Sequence, residues 1–354
     1  MSEISDTVPG LLALSVTGNC NLRCAYCYAC GGENRTGMSW NRAKRAIDIA
    51  SECFSAFKIQ FTGGEPLMNL DLIEKAVDYI EDLGFKAPYQ LQTNATLITS
   101  EIADRLKSMK MAIGVSLDGP ASVNDRIRPF SDGQGSTGAA LRGIFLLRDA
   151  GIRIGATAVL SKENALHLSG LVDLFSYAGN IEGIAVDFLR PAGRASRFMQ
   201  PEASQAANGV EAAIYRARHL ASLGGRVVRF RELERMKSTI KTKGTRQHHC
   251  YFDSCRSLVV LPDGRAYACP SLVSDEMMLG RIEDPNFKKG LLQKMADVRS
   301  HVCMPQQCSS CRDRWLCSGP CLAHYSLGQN PEIECAVKRV FMRHALREDP
   351  SDSR

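Results

Sequence analysis

The chain has 354 residues, enough for two or three domains, and its 44% apolar and 23% charged content is ordinary for a globular protein. Basic residues outnumber acidic ones 44 to 38, a net charge of +6 that is too mild to point to nucleic acid, and no Lys/Arg block stands out. No run approaches the ~18 apolar residues of a membrane span, and Met1–Val8 lacks the basic-then-apolar pattern of a signal peptide, so a cytoplasmic protein is expected.

Taken in chain order, apolar segments alternate with amphipathic ones. Leu11–Thr17 reads as a strand, and a helix follows from Ser39, an N-cap, through Ile47, Ile49, Ala50 and Phe54. Ile59–Thr62 is a second strand ending in Gly63-Gly64-Glu65-Pro66, before an amphipathic helix over Leu72–Leu83. Tyr89–Thr93 is a third strand, followed by Asn94 and a helix from Ser100. Met111–Leu117 is a fourth, ending in Asp118-Gly119-Pro120, with a helix over Ala139–Ala150. Ile152–Leu160 and Ile184–Leu189 are the fifth and sixth, separated by a helix over Leu166–Tyr177 and followed by Ala203–Leu223. Near-continuous apolar strands alternating with helices predict an α/β fold with a parallel sheet. Right-handed crossovers would curl six such units into a partial (β/α)6, TIM-like barrel. Sites in such barrels are built at C-terminal strand ends. The sequence puts Cys20–Cys27, Gly63–Pro66, Asn94, Ser116, Asp118, Leu189 and Arg190 there. The polar stretch Ser131–Gly138 reads as a flexible loop over that end.

Fourteen cysteines in a cytosolic chain argue for metal rather than disulfides. Cys20, Cys24 and Cys27 stand in C-x3-C-x2-C spacing directly after the first strand. A short loop with three thiols wraps one corner of an iron–sulfur cluster. Since a [4Fe–4S] cluster has four irons, one iron stays open for a non-protein ligand. Gly63-Gly64-Glu65-Pro66 lets backbone approach a ligand closely, and Glu65 suits an ammonium group. The second half carries Cys250, Cys255, Gly264 and Cys269, then Cys308, Cys311, Cys317, Cys321 and Cys335. Pro262-Asp263-Gly264 reads as the turn of a hairpin. Zinc knuckles would use similar C-x2-C pairs. His248 and His249, beside Cys250, read as solvated loop histidines.

The cysteine loop, with an aromatic before its third thiol, and the GGEP turn resemble the radical SAM superfamily. The later cysteine pattern resembles that superfamily's SPASM extension, in the anaerobic sulfatase-maturase branch. The resemblance spans Leu11 to Cys335. It implies a core barrel over residues 8–225, a linking helical region over 226–249 and an auxiliary-cluster domain over 250–345. It implies three [4Fe–4S] clusters and S-adenosylmethionine. Cys20, Cys24 and Cys27 would hold the catalytic cluster. Cys250, Cys255, Cys269 and Cys321 would hold one auxiliary cluster, and Cys308, Cys311, Cys317 and Cys335 the other. That leaves Cys30, Cys53 and Cys303 as core or incidental thiols. Gly63, Gly64, Glu65, Pro66 and Asn94 would contact the cofactor, with Tyr26 and Leu189 near its adenine and Ser116 and Arg128 near its carboxylate and ribose. Asp118 and Arg190 would be either substrate-facing or an internal ion pair.

The implied activity is reductive cleavage of S-adenosylmethionine to a 5′-deoxyadenosyl radical, which takes hydrogen from a residue of a ribosomal peptide or protein. The product would be a crosslink, a thioether or an oxidised side chain, with flavodoxin or ferredoxin as reductant and neither nucleic acid nor membrane as partner. Formylglycine formation, small-molecule dehydrogenation and plain electron carriage are the alternatives. Sulfatase maturases place an Asp after the cysteine of the G-x4-C element as a proton acceptor. Here that residue is Pro270, which puts sulfatase maturation in doubt. The barrel begins within about fifteen residues of Met1, so no N-terminal peptide-recognition domain is expected, unlike some peptide cyclases.

Overall fold

The computed structural model describes residues 9–347; Met1–Val8, read above for a signal peptide, lie outside the described residues. Seven parallel strands follow one another in sheet order: β1 (Gly10–Thr17), β2 (Phe57–Gly63), β3 (Tyr89–Thr93), β4 (Ala112–Ser116), β5 (Ile154–Leu160), β6 (Ile181–Phe188) and the short β7 (Arg229–Phe230). Sequential order of parallel strands with helical crossovers is the open barrel that the alternation predicts. The crossovers are α1 (Trp40–Cys53), α2 (Leu70–Asp82), α3 (Ser100–Ser108), α4 (Ala121–Ile127), α5 (Thr137–Asp149), α6 (Leu168–Ala178) and α7 (Ala203–Ser222), and α8 (Arg231–Lys241) follows β7.

The strands are less uniformly apolar than expected. In β2, Phe57, Ile59 and Phe61 are buried in the main core, whereas Lys58 and Gln60 between them are only half-buried. α2 meets that apolar face with Leu70, Ile73, Ala76, Val77 and Ile80, the spacing of one helical stripe. The opposite face holds polar side chains that bond to each other: Lys58 Nζ donates to Gln90 Oε1 at 3.0 Å, and Gln92 Nε2 to Ser116 Oγ at 2.9 Å. Helices thus cover one face, while the other lines the barrel interior.

The C-terminal part extends the same sheet. β8 (Ser257–Val260) pairs in parallel with β1, and β9 (Arg265–Tyr267) and β10 (Met278–Arg281) add antiparallel strands beyond it. The expected hairpin is β8–β9, with Gly264 at φ +89°, a left-handed turn position that favours glycine. Backbone hydrogen bonds therefore join the cysteine-rich region to the strand that delivers the first cysteine loop. A long C-terminal helix, Pro331–Arg347, packs on α7 and α8. Among the described residues no helix is long and apolar enough to cross a membrane.

Candidate active site

The loop of Cys20, Cys24 and Cys27 leaves the end of β1 and is held from three sides. The GGEP turn closes one side. Gly64 N–H donates to Thr17 O and Glu65 N–H to Asn19 O, each at 2.8 Å. A Cβ on Gly64 would lie 2.1 Å from Asn19 O, so only glycine permits this approach. The segment after α4 lies along the second side. Arg23 N–H donates to Pro129 O and Ala25 N–H to Ile127 O, both at 2.8 Å, and Leu22 and Phe130 form an antiparallel bridge. Ser131 N–H also bonds Asn21 O, so the stretch read as a free loop starts out pinned to the cysteine loop. Arg194, beyond β6, clamps the third side: its Nε donates to Cys24 O at 3.0 Å and its backbone N–H to Cys27 O at 3.1 Å. Gly193 precedes it at φ +59°, where a Cβ would meet Cys27 O and Tyr28 O at 2.5 Å.

The candidate cofactor residues gather above this loop. Glu65 is 1% exposed, and its carboxylate accepts from Leu67 N–H at 3.2 Å, Thr93 Oγ1 at 2.7 Å and Asn94 N–H at 2.8 Å. Burial raises its pKa, and these bonds oppose the shift. Three donors occupy three of about four acceptor positions on a carboxylate, leaving one for an incoming ammonium. The Asn94 side chain donates to Asn21 Oδ1 at 2.9 Å and so ties β3 to the cysteine loop. Tyr26, Arg128 and Asp118 form one buried group. Arg128 donates to the Tyr26 hydroxyl at 2.5 Å, that hydroxyl donates to Asp118, and Arg128 lies 3.6 Å from the same carboxylate. Asp118 is fully buried, and its second oxygen accepts from Val159 N–H at 2.7 Å. Of the two readings offered for Asp118, its geometry is that of an internal ion pair. Leu189 packs with Tyr26, Val123, Ile127 and Ala195 in a small apolar cluster.

Arg190 points instead toward the C-terminal part. Its Nε lies 2.8 Å from His324 Nε2, its Nη2 bonds Asp187 Oδ2 at 2.9 Å, and its guanidinium stacks 4.3 Å over the Tyr28 ring. Cys269 and Cys321 lie within electrostatic reach of it. Arg190 therefore stands between the cysteine loop and the later thiols.

The thiols fall into three groups. Cys20 and Cys27 both lie around the Cα of Gly31, where a Cβ would meet Cys20 Cβ at 3.3 Å and Cys27 Sγ at 3.7 Å, and Gly64 is 3.4 Å away. Gly31 N–H donates to Cys27 Sγ at 3.3 Å and Leu22 N–H to Cys20 Sγ at 3.4 Å; bonds to cluster sulfurs are one means of setting cluster potential. Burial pushes the Cys20 thiol up to about 11 and raises Cys24 as well. Such thiols release their protons when a metal takes them. In the second group Cys250, Cys269 and Cys321 act on one another electrostatically, whereas Cys255 (φ +56°) answers to Arg299 and Asp253. In the third, Cys308, Cys311, Cys317 and Cys335 line one cavity. Among the described residues no three His, Cys, Asp or Glu side chains converge on a single-ion position. A cage of thiols around a volume suits a cluster. Cys53, packed on the core, and Cys303, exposed, stand outside these groups, whereas Cys30 sits beside the first, its N–H donating to Cys27 O at 3.3 Å.

Sequence reasoning missed four contributors. Arg23 bonds Cys20 O at 2.8 Å and Gly32 O at 3.2 Å inside the loop, and Arg194 clamps it. Tyr28 and His324 flank Arg190. For Arg194 a signal existed, the Pro191-Ala192-Gly193 turn just past a strand end; for His324 there was none. His249 departs from its expectation. It is half-buried, with Nδ1 3.1 Å from both Gly319 O and Lys338 Nζ, and burial pushes its pKa down to about 4. His248 is exposed, as expected.

Comparison with known proteins fits this geometry. The radical SAM superfamily profile matches residues 14–175. The chain is 35% identical over 298 residues to an uncharacterised protein of Methanocaldococcus jannaschii, covering 84% of this chain and 95% of that one. It is 29% identical over 341 residues to the serine-type anaerobic sulfatase-maturating enzyme of Klebsiella aerogenes, covering 91% and 82%. Its fold matches native anSMEcpe with bound AdoMet and the Kp18Cys peptide at a TM-score of 0.79, 21% identity, and coverage of 95% and 96%. The cysteine loop, the turn that closes on it and the matched profile coincide on the same strands: the chain is an enzyme of the radical SAM superfamily.

Proposed function

We propose that this enzyme takes hydrogen from a residue of a ribosomal peptide or protein, giving a crosslinked, thioether-bridged or oxidised product. The single observation that carries the reading is the set of three thiol groups, one at the barrel mouth and two in a lobe hydrogen-bonded to the same sheet. We assign Cys20, Cys24 and Cys27 to the catalytic cluster, Cys250, Cys255, Cys269 and Cys321 to one auxiliary cluster, and Cys308, Cys311, Cys317 and Cys335 to the other. When bound, the catalytic cluster with S-adenosylmethionine supplies the one-electron cleavage that makes the 5′-deoxyadenosyl radical.

The chain's own part is binding, orientation and exclusion of water. Glu65 offers its remaining acceptor position to the methionine amino group, with Gly63, Gly64 and Pro66 shaping the backbone beside it. Asn94 fixes the loop. Ser116 and Arg128 serve the carboxylate and ribose, and Tyr26 and Leu189 form the apolar wall for adenine. Asp118 holds Tyr26 and Arg128 in place. Arg190, stacked on Tyr28 and steered by Asp187, faces the substrate between the two thiol-bearing regions. A peptide substrate is supported by the near full-length likeness to a sulfatase-maturating enzyme and by a peptide-bound structural neighbour. The same likeness favours sulfatase maturation as the second reading, but Pro270 stands where a maturase's Asp would accept the proton.

The test is anaerobic reconstitution followed by dithionite and S-adenosylmethionine. About twelve irons per chain are expected from three [4Fe–4S] clusters, with formation of 5′-deoxyadenosine. Coexpressed with a ribosomal peptide substrate, the enzyme should yield a peptide lighter by a pair of hydrogens. Absence of deoxyadenosine would leave an electron carrier, and a formylglycine product would return the maturase.

A further inference from the structure

The C-terminal helix carries a charge pair that the reading above leaves unused. Glu334 and Lys338 stand one turn apart, Oε1 to Nζ 2.9 Å, with side chains 2% and 3% exposed. Taking two charges out of water is costly, and a well-packed apolar pair serves a fold equally well. The contacts of Glu334 and Lys338 run in opposite directions. Both Glu334 oxygens accept from Cys321 N–H, at 3.1 and 3.0 Å. Lys338 donates to Gly319 O at 2.5 Å and lies 3.4 Å from Cys317 O. It also forms part of the wall of the cavity lined by Cys308, Cys311, Cys317 and Cys335. Glu334 lines that cavity too, next to Cys335 in sequence, whereas its hydrogen bonds go to Cys321 N–H.

Resting on the reading of two auxiliary clusters, we infer that the Glu334–Lys338 pair sets their relative reduction potentials. It raises the potential of the cluster at Cys308, Cys311, Cys317 and Cys335 and lowers that of the cluster at Cys250, Cys255, Cys269 and Cys321. A cluster gains one negative charge when it takes an electron, so a fixed ammonium beside it favours the reduced form and a fixed carboxylate disfavours it. One electron leaving the cluster at Cys250, Cys255, Cys269 and Cys321, the first cluster, oxidises it by one unit and reduces the cluster at Cys308, Cys311, Cys317 and Cys335, the second, by one. The pair makes that exchange downhill, away from the substrate side, toward a one-electron acceptor protein of the flavodoxin or ferredoxin class.

The experiment is a potentiometric titration of the full-length reconstituted protein, followed by electron paramagnetic resonance, without S-adenosylmethionine. Cys269→Ala identifies the signal of the first cluster. Lys338→Met should shift the second cluster's reduction equilibrium about tenfold toward the oxidised form, ~59 mV for one electron, and Lys338→Arg should restore it. Lys338→Met strands a buried carboxylate, so the paired variant Lys338→Met/Glu334→Gln is measured beside it, and there the gap between the two potentials should narrow. Three clusters with both potentials unmoved in the paired variant would overturn the inference while sparing the cluster reading. Wild-type protein with only about four irons, one cluster's worth, would overturn both.

Discussion

Gly64→Ala tests whether the cysteine loop and the GGEP turn are one unit. The added Cβ would lie 2.1 Å from Asn19 O, 2.6 Å from Asn19 C and 2.8 Å from Gly18 O, against 3.4 Å for ordinary contact. All three atoms are backbone, so no side chain can swing aside. The turn and the loop must part by about 1 Å, a displacement that costs about 10²-fold in rate when it misplaces reacting groups. The 2.8 Å bonds from Gly64 N–H to Thr17 O and from Glu65 N–H to Asn19 O stretch with it. Overpacking of this kind costs ~1–3 kcal/mol, a modest share of a domain's stability. The variant should therefore fold, with a lowered midpoint in urea, while 5′-deoxyadenosine formation falls about 10²-fold. Circular dichroism and iron content separate the two effects. A folded Gly64→Ala protein that cleaves S-adenosylmethionine at the native rate would refute the coupling of turn and loop.

Replacing Cys20, Cys24 and Cys27 together by Ala should leave about eight irons per chain and abolish deoxyadenosine formation; persistent formation under dithionite would displace the site. Cys269→Ala should remove one auxiliary cluster and cut product formation about 10²-fold or more through lost positioning, while uncoupled deoxyadenosine still forms; native product yield from a folded variant lacking that cluster would show it to be ornamental. Arg190→Lys keeps the charge but cannot hold His324, Asp187 and the Tyr28 face together, so product formation should fall at least about tenfold, read against deoxyadenosine formed without substrate. Arg194→Ala removes the bond to Cys24 O. Losing a hydrogen bond from a charged group costs ~1.5–3 kcal/mol before discounting for partial exposure, and the variant should lose catalytic-cluster iron faster in a chelator challenge.

Whatever depends on local pattern was legible in the sequence. Strand–helix alternation fixes the parallel sheet, because crossovers allow little else, and cysteine spacing marks the loop after β1. What escaped reading depends on long-range pairing. The pairing of β8 with β1 joins the β8–β9 hairpin, and Cys269 just beyond it, to the strand that delivers the first cysteine loop, and nothing in either strand alone specifies that partner. The polar barrel face was hidden for a related reason: Lys58, Gln90, Gln92 and Ser116 become a hydrogen-bonded lining only once β2, β3 and β4 are in register. Asp118 shows the limit of reasoning from position. A carboxylate at a strand end reads equally as substrate-facing or as half of an internal ion pair, and only the fold brings it against Tyr26 and Arg128. Arg190, three residues beyond Asp187, is 19% exposed and spans to His324, 134 residues away in sequence. Its guanidinium joins the loop that would carry the catalytic cluster to the lobe that would carry the others. On the proposed reading, that junction is where a substrate residue would sit, its hydrogen leaving toward one side and its electron toward the other.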